Sequence, residues 1–116
     1  MKCVRITPSE LNGEISIPPS KSISHRMLIC ASLAEGESIL RNISFSDDLT
    51  ATVNAVKSLG ARVRYLSDFI DCKANDIAVT GDKFLEIKKG VIDCKESAST
   101  LRFLVPVASI AGKQVA

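Results

Sequence analysis

Two cations, a histidine and three serines crowd the run Pro18-Pro19-Ser20-Lys21-Ser22-Ile23-Ser24-His25-Arg26. A helix capped by Ser20 leaves its first backbone N–H groups unpaired and carries a partial positive charge at that end. Lys21 and Arg26 add two full charges, so the place suits a phosphate or a carboxylate. Ser22 and Arg26 are four apart and share a helix face. A first-turn lysine can act as a point charge or move protons, and an arginine fork matches a carboxylate. An ordinary capped helix with solvated cations has the same spacing, and the spacing alone does not separate the two.

A second run, Lys95-Glu96-Ser97-Ala98-Ser99-Thr100-Leu101-Arg102, puts small residues and hydroxyls at another turn into a helix. Backbone N–H groups there can cradle an anion. Glu96 has the wrong sign for this unless it points away or accepts a proton, and a purely structural serine cap accounts for the same residues. Arg102 lies among Leu101, Phe103 and Leu104, where a structural ion pair is expected. Asp47 and Asp48 either cap their own helix or place Asp48 opposite Lys21, tuning its charge. A lone histidine in a second helical turn, His25, reads as a hydrogen-bonding residue before a catalytic one. The four cysteines, Cys3, Cys30, Cys72 and Cys94, read as small core residues. They form no C-x-x-C pair, so zinc and redox motifs are unsupported. Neither a Ser-His-Asp spacing nor a phosphate-binding G-x-x-x-x-G-K-[ST] loop is present.

The elements that must hold these residues follow from periodicity. Residues 14–17 alternate and stop at Pro18, as a short strand does. After the Ser20 cap, Ile23, Met27, Ala31 and Ala34 recur at helical spacing, and Gly36 suits the stop. Residues 38–42 read as a strand. Ser46 caps a second helix with Asp47 and Asp48 in its first turn, where negative charge is favoured; Leu49, Val53, Val56 and Leu59 make its apolar face, and Gly60 ends it. Strands are then expected at 61–65, 69–72 and 76–80, and again at 90–94. A helix follows over 97–111, closed by Gly112. The pattern restarts near residue 85, and a repeating unit does not usually bury its face alone.

At 116 residues, 46% hydrophobic, the chain is sized for one folded domain with a modest core. A net charge of +2 is too small to imply a nucleic-acid partner. No stretch approaches the roughly 20 apolar residues of a membrane helix. The N-terminus lacks the pattern of a secretory signal, which favours reduced thiols and a cytoplasmic location.

Ile17-Pro18-Pro19-Ser20-Lys21-Ser22-Ile23-Ser24-His25-Arg26, with Leu33-Ala34-Glu35-Gly36, Ser46-Asp47-Asp48, Leu59-Gly60 and Glu96-Ser97-Ala98-Ser99-Thr100-Leu101-Arg102, resembles the N-terminal part of the 5-enolpyruvylshikimate-3-phosphate synthase family. The resemblance spans nearly the whole chain but about a quarter of a typical member. It implies an α+β (α/β) fold of repeated βαβαββ units, incomplete in this chain. Residues 1–13 would be a strand of the other domain, 14–84 the first unit and 85–116 the start of a second. It implies transfer of the enolpyruvyl group of phosphoenolpyruvate to the 5-hydroxyl of shikimate 3-phosphate, on the route to aromatic amino acids. No metal or organic cofactor, no nucleic acid and no membrane is implied, and the full-length enzyme would be a monomer. Lys21 would touch both substrates and carry protons, and Asp48 would support it. Ser22 and Arg26 would hold shikimate 3-phosphate, and Glu96, Ser97 and Ala98 would lie against phosphoenolpyruvate. The remaining catalytic groups of the family lie beyond residue 116, so this polypeptide alone is expected to be inactive. Many members carry asparagine, alanine and glycine at 96–98; an alanine at 98 narrows the pocket and implies partial tolerance of glyphosate. Phe103 stands where many members have proline. Two other readings are a relative that transfers enolpyruvate to UDP-N-acetylglucosamine, against which the Lys21-Ser22 pair counts, and a non-catalytic anion-binding fragment.

Overall fold

A computed structural model describes residues 2–67, 75–81 and 90–110. Ser20 does cap the first helix, α1 (Lys21–Leu33): its side chain accepts from the Ile23 amide at 3.4 Å. The helix ends at Ala34, and Gly36, at φ +98°, turns the chain straight into β1 (Gly36–Leu40). The second helix, α2 (Asp47–Ser58), begins on Ser46, whose hydroxyl accepts from the Leu49 amide at 3.3 Å. It closes with a pair of bonds, Gly60 N–H to the Lys57 carbonyl and Ala61 N–H to the Val56 carbonyl, each 3.1 Å. That arrangement needs a left-handed residue between them, and Gly60 supplies it at φ +108°. Strands β2 (Arg62–Tyr65) and β3 (Ile77–Gly81) follow, and then α3 (Ala98–Ile110).

The three strands form one antiparallel sheet in the order β1-β3-β2, with Leu40 and Tyr65 both opposite Ile77. β3 is therefore the middle strand, and its run Ile77, Ala78 and Val79 is buried throughout. The sheet and the helices close over Leu28, Leu49, Val53, Val56, Leu59, Ile77 and Val79, with Leu104 of α3 joining them. A side chain at Gly81 would meet the backbone carbonyls of Ala31, Ser32 and Ala34 at 2.4–2.5 Å, so glycine is what lets β3 approach the end of α1.

Several expectations fail, each for a packing reason. The buried face of α1 is Ser24, His25, Leu28, Ile29, Ala31 and Ser32; Ile23 and Met27 are exposed, and only Ala31 is shared with the expected stripe. Two stripes of α1 have helical spacing, and the sheet covers the one carrying Leu28. Residues 14–17 form no strand and are exposed, because no described strand pairs with them. Residues 90–94 form no strand either. They lead into a turn in which Lys95 takes φ +47°, its amide bonds the Asp93 carboxylate at 2.8 Å, and the Ser97 amide bonds the Cys94 carbonyl at 3.0 Å. Cys3 and Cys30 are exposed rather than in the core, Cys94 is half-buried, and all three are free thiols. The strand expected at 69–72 and the residues from 111 onward lie outside the described residues.

Candidate functional site

Lys21 is the first residue of α1 and Asp48 the second of α2. Because both helices start at the same end of the sheet, the Lys21 ammonium and the Asp48 carboxylate meet as an ion pair. Both partners are partly exposed, so the pair contributes less than about 1 kcal/mol to stability; its consequence is where it fixes the ammonium. Arg26 lies one turn along α1, donates to the Ser22 carbonyl at 3.2 Å and lies 5.3 Å from the centre of the Phe103 ring of α3. Ser22 and Arg26 are both exposed. Arg102 is exposed too, and the expected ion pair is not formed among the described residues.

The turn before α3 lies beside the start of α2. Between them is a cleft of about 390 Å³ lined by Asp47, Asp48, Thr50, Ala51, Lys95, Glu96 and Ser97. Ser97 is buried and caps α3, accepting from the Thr100 amide at 3.2 Å. Glu96 and Ala98 flank it and are exposed. Two helix N-termini thus open onto one cleft, and Lys21 reaches it through Asp48. Lys21 itself, Ser22 and Arg26 are not among its lining residues. Three carboxylates line the cleft against one ammonium, so an anion bound there relies on N–H groups and on cations from outside the lining.

Beneath the cleft runs a buried polar chain that spacing did not reveal. His25 Nδ1 lies 2.7 Å from Thr52 Oγ1, Thr52 Oγ1 lies 2.7 Å from Thr100 Oγ1, and Thr100 Oγ1 lies 2.6 Å from Ser97 Oγ. One residue from α1, one from α2 and two at the start of α3 are tied together. The available signal was Thr52, a hydroxyl set within the apolar stripe of Leu49, Val53 and Val56. Burial pushes the His25 imidazole below its ordinary value of 6.5; Asp48 opposes this and Lys21 adds to it. His25 is therefore neutral at pH 7. Among the described residues no group of histidine, cysteine and carboxylate side chains could hold a metal ion, and no helix is long and apolar enough to cross a membrane.

Residues 6–116 match the family described as EPSP synthase (3-phosphoshikimate 1-carboxyvinyltransferase). The chain belongs to the EPSP synthase family. Curated relatives described as 3-phosphoshikimate 1-carboxyvinyltransferase include that of Clostridium perfringens, 48% identical over 116 residues. That of Clostridium novyi is 46% identical over 117 residues. Each alignment covers 99% of this chain but only 26% and 27% of the relative. Among solved structures, EPSP synthase from Acinetobacter baumannii superposes with a TM-score of 0.66 at 22% identity. That superposition covers 79% of this chain and 20% of the other, and supports the partial α/β fold. The chain thus spans about a quarter of the EPSP synthases it resembles, and its elements are those of their N-terminal part.

Proposed function

We propose that this chain is the N-terminal part of a 3-phosphoshikimate 1-carboxyvinyltransferase, with Lys21 at its chemical centre. The observation that carries the reading is the Lys21–Asp48 ion pair, set where α1 and α2 begin and beside the Ser97 turn. In the transfer, the 5-hydroxyl oxygen of shikimate 3-phosphate bonds to C2 of phosphoenolpyruvate as C3 takes up a proton, and the hydroxyl proton leaves to a base. Loss of a C3 proton then restores the double bond as the C2–O bond to phosphate breaks. An ammonium held by a carboxylate can carry a proton and steady the anionic groups without reorganising. In this reading Lys21 touches both substrates, and Asp48 holds it in place. Ser22 and Arg26 hold shikimate 3-phosphate, with the Arg26 fork on its carboxylate. Glu96, Ser97 and Ala98 border phosphoenolpyruvate. Residues 14–84 would constitute the first βαβαββ unit and 85–116 the opening of a second, with residues 1–13 belonging to another domain. A cytoplasmic, monomeric full-length enzyme with no nucleic-acid partner fits this reading.

The excess of carboxylates in the cleft means that the phosphate of phosphoenolpyruvate needs cations from the rest of a full-length protein. The isolated chain is therefore expected to release no phosphate from the two substrates. Titration with shikimate 3-phosphate and, separately, with UDP-N-acetylglucosamine tests the assignment. The amide resonances of residues 21–26 should move with the first compound and not the second. Movement with the nucleotide sugar alone, or with neither, rules the assignment out. In the chain joined to its downstream sequence, Lys21→Met should lower turnover at least about a hundredfold, the size expected for loss of a proton-transfer group.

A further inference from the structure

The chain His25–Thr52–Thr100–Ser97 has a direction, and the histidine sets it. Each hydroxyl owns one proton, and a neutral imidazole carries its proton on one nitrogen or the other. If Nδ1 is bare, Thr52 must donate to it across the 2.7 Å contact; Thr100 must then donate to Thr52, and Ser97 to Thr100. The Ser97 proton is consumed inside the protein. If Nδ1 carries the proton, His25 donates to Thr52, and the chain can run from Thr52 to Thr100 to Ser97. The Ser97 proton is then left free. Both threonine hydroxyls also lie near the Asp48 carbonyl, at 3.3 and 3.4 Å, but every link of the chain is shorter.

The far side of the ring chooses between the two. His25 is 1% exposed, and its Nε2 has no hydrogen-bond partner among the described residues. A proton on Nε2 would be a buried donor with nothing to receive it, which is rarer and costlier than a lone pair left bare. The Nδ1–H form leaves only the lone pair. We propose that His25 is a positioning residue: protonated on Nδ1, it runs the Thr52–Thr100–Ser97 chain outward, so that Ser97 offers its hydroxyl proton to an anionic group in the cleft between α2 and α3. Only the identity of that group, the phosphate or carboxylate of phosphoenolpyruvate, rests on the enolpyruvyl-transfer reading.

His25 is the only histidine in the 116 residues, so its ring nitrogens can be read without ambiguity in a nitrogen-15-labelled sample. Long-range proton–nitrogen correlation at neutral pH should show a protonated Nδ1 and a bare Nε2. The opposite pattern overturns the inference. Thr52→Val keeps the side-chain shape but removes the acceptor and should erase the preference, whereas Thr52→Ser should keep it; an unchanged tautomer in T52V also overturns the inference. Phosphoenolpyruvate is then titrated against the chain joined to its downstream sequence, which supplies the cations the cleft lacks, while the Ser97 and Thr100 amides are followed. His25→Leu should weaken the response about tenfold, the loss of one hydrogen bond to a charged group. His25→Asn, which can place an amide N–H at the Nδ1 position, should restore most of it. Equal binding by H25L and the parent overturns the positioning role. A chain with the Nδ1–H signature that, joined to its downstream sequence, gives no response to phosphoenolpyruvate refutes the enolpyruvyl-transfer reading and leaves the orientation of Ser97 standing.

Discussion

Single side chains in this protein answer to burial more than to their own chemistry. Because burial lowers the His25 pKa in the folded chain, the unfolded chain takes up a proton more readily near the ordinary value of 6.5. The stability this neutral histidine contributes is complete above that pH. It is lost as pH falls from there through the lowered folded value. Urea midpoints measured from about pH 7.5 to about pH 5, above most carboxylate titrations, should fall for the parent and fall less for His25→Asn. Parallel curves would count against a buried neutral imidazole. Burial acts in the opposite sense on Cys94, raising its thiol pKa, with Asp93 adding to the effect. Cys94 should therefore alkylate more slowly with iodoacetamide than the exposed Cys3 and Cys30, as peptide mass spectrometry would show. The cysteines also show a limit of residue-by-residue reading: a thiol is read as a core residue by type, but two of the three described lie on the surface.

Whole elements were legible where their ends are chemically distinctive. Ser20, Ser46 and Gly60 mark helix boundaries because caps and left-handed stops depend on only a few neighbouring atoms. The face a helix buries depends on what packs against it. For α2 the expected stripe of Leu49, Val53, Val56 and Leu59 is the buried one; for α1 it is not. The strands expected at 14–17 and 90–94 show the same dependence, since alternation permits a strand but only a partner makes one. Gly81 gives the sharpest test at this scale. Gly81→Ala should destabilise by about 1–3 kcal/mol in urea unfolding, because the added methyl meets three backbone carbonyls that no rotamer change can move. Ser46→Ala, which removes a cap and no packing, should cost about 1 kcal/mol.

Taken as a whole, the described chain is less compact than its length requires: its radius of gyration is 17.6 Å, against about 13 Å for a compact domain of this size. Residues 2–20 contain no helix or strand, and Val4, Ile6, Leu11, Ile15 and Ile17 are exposed. Deleting residues 2–13 should therefore shift unfolding stability by less than about 0.5 kcal/mol, within the range of surface changes. A larger loss would mean that the segment packs on this domain. Leu49→Ala, inside the core between the helices and the sheet, should cost about 2–5 kcal/mol in the same assay.

The sequence determined the family, the two helix starts that carry Lys21 and Ser97, and the cap at Ser46, because each rests on a few adjacent residues whose chemistry is local. It also supplied Asp48 as a possible partner for Lys21, though not their meeting. Tertiary structure alone decided that ion pair, the buried face of α1, and the line from His25 through Thr52 and Thr100 to Ser97. Those contacts join residues 27, 27, 48 and 3 positions apart. Three of the four are set by how helices stack on a sheet, and no periodicity within one helix encodes what the next helix brings to it.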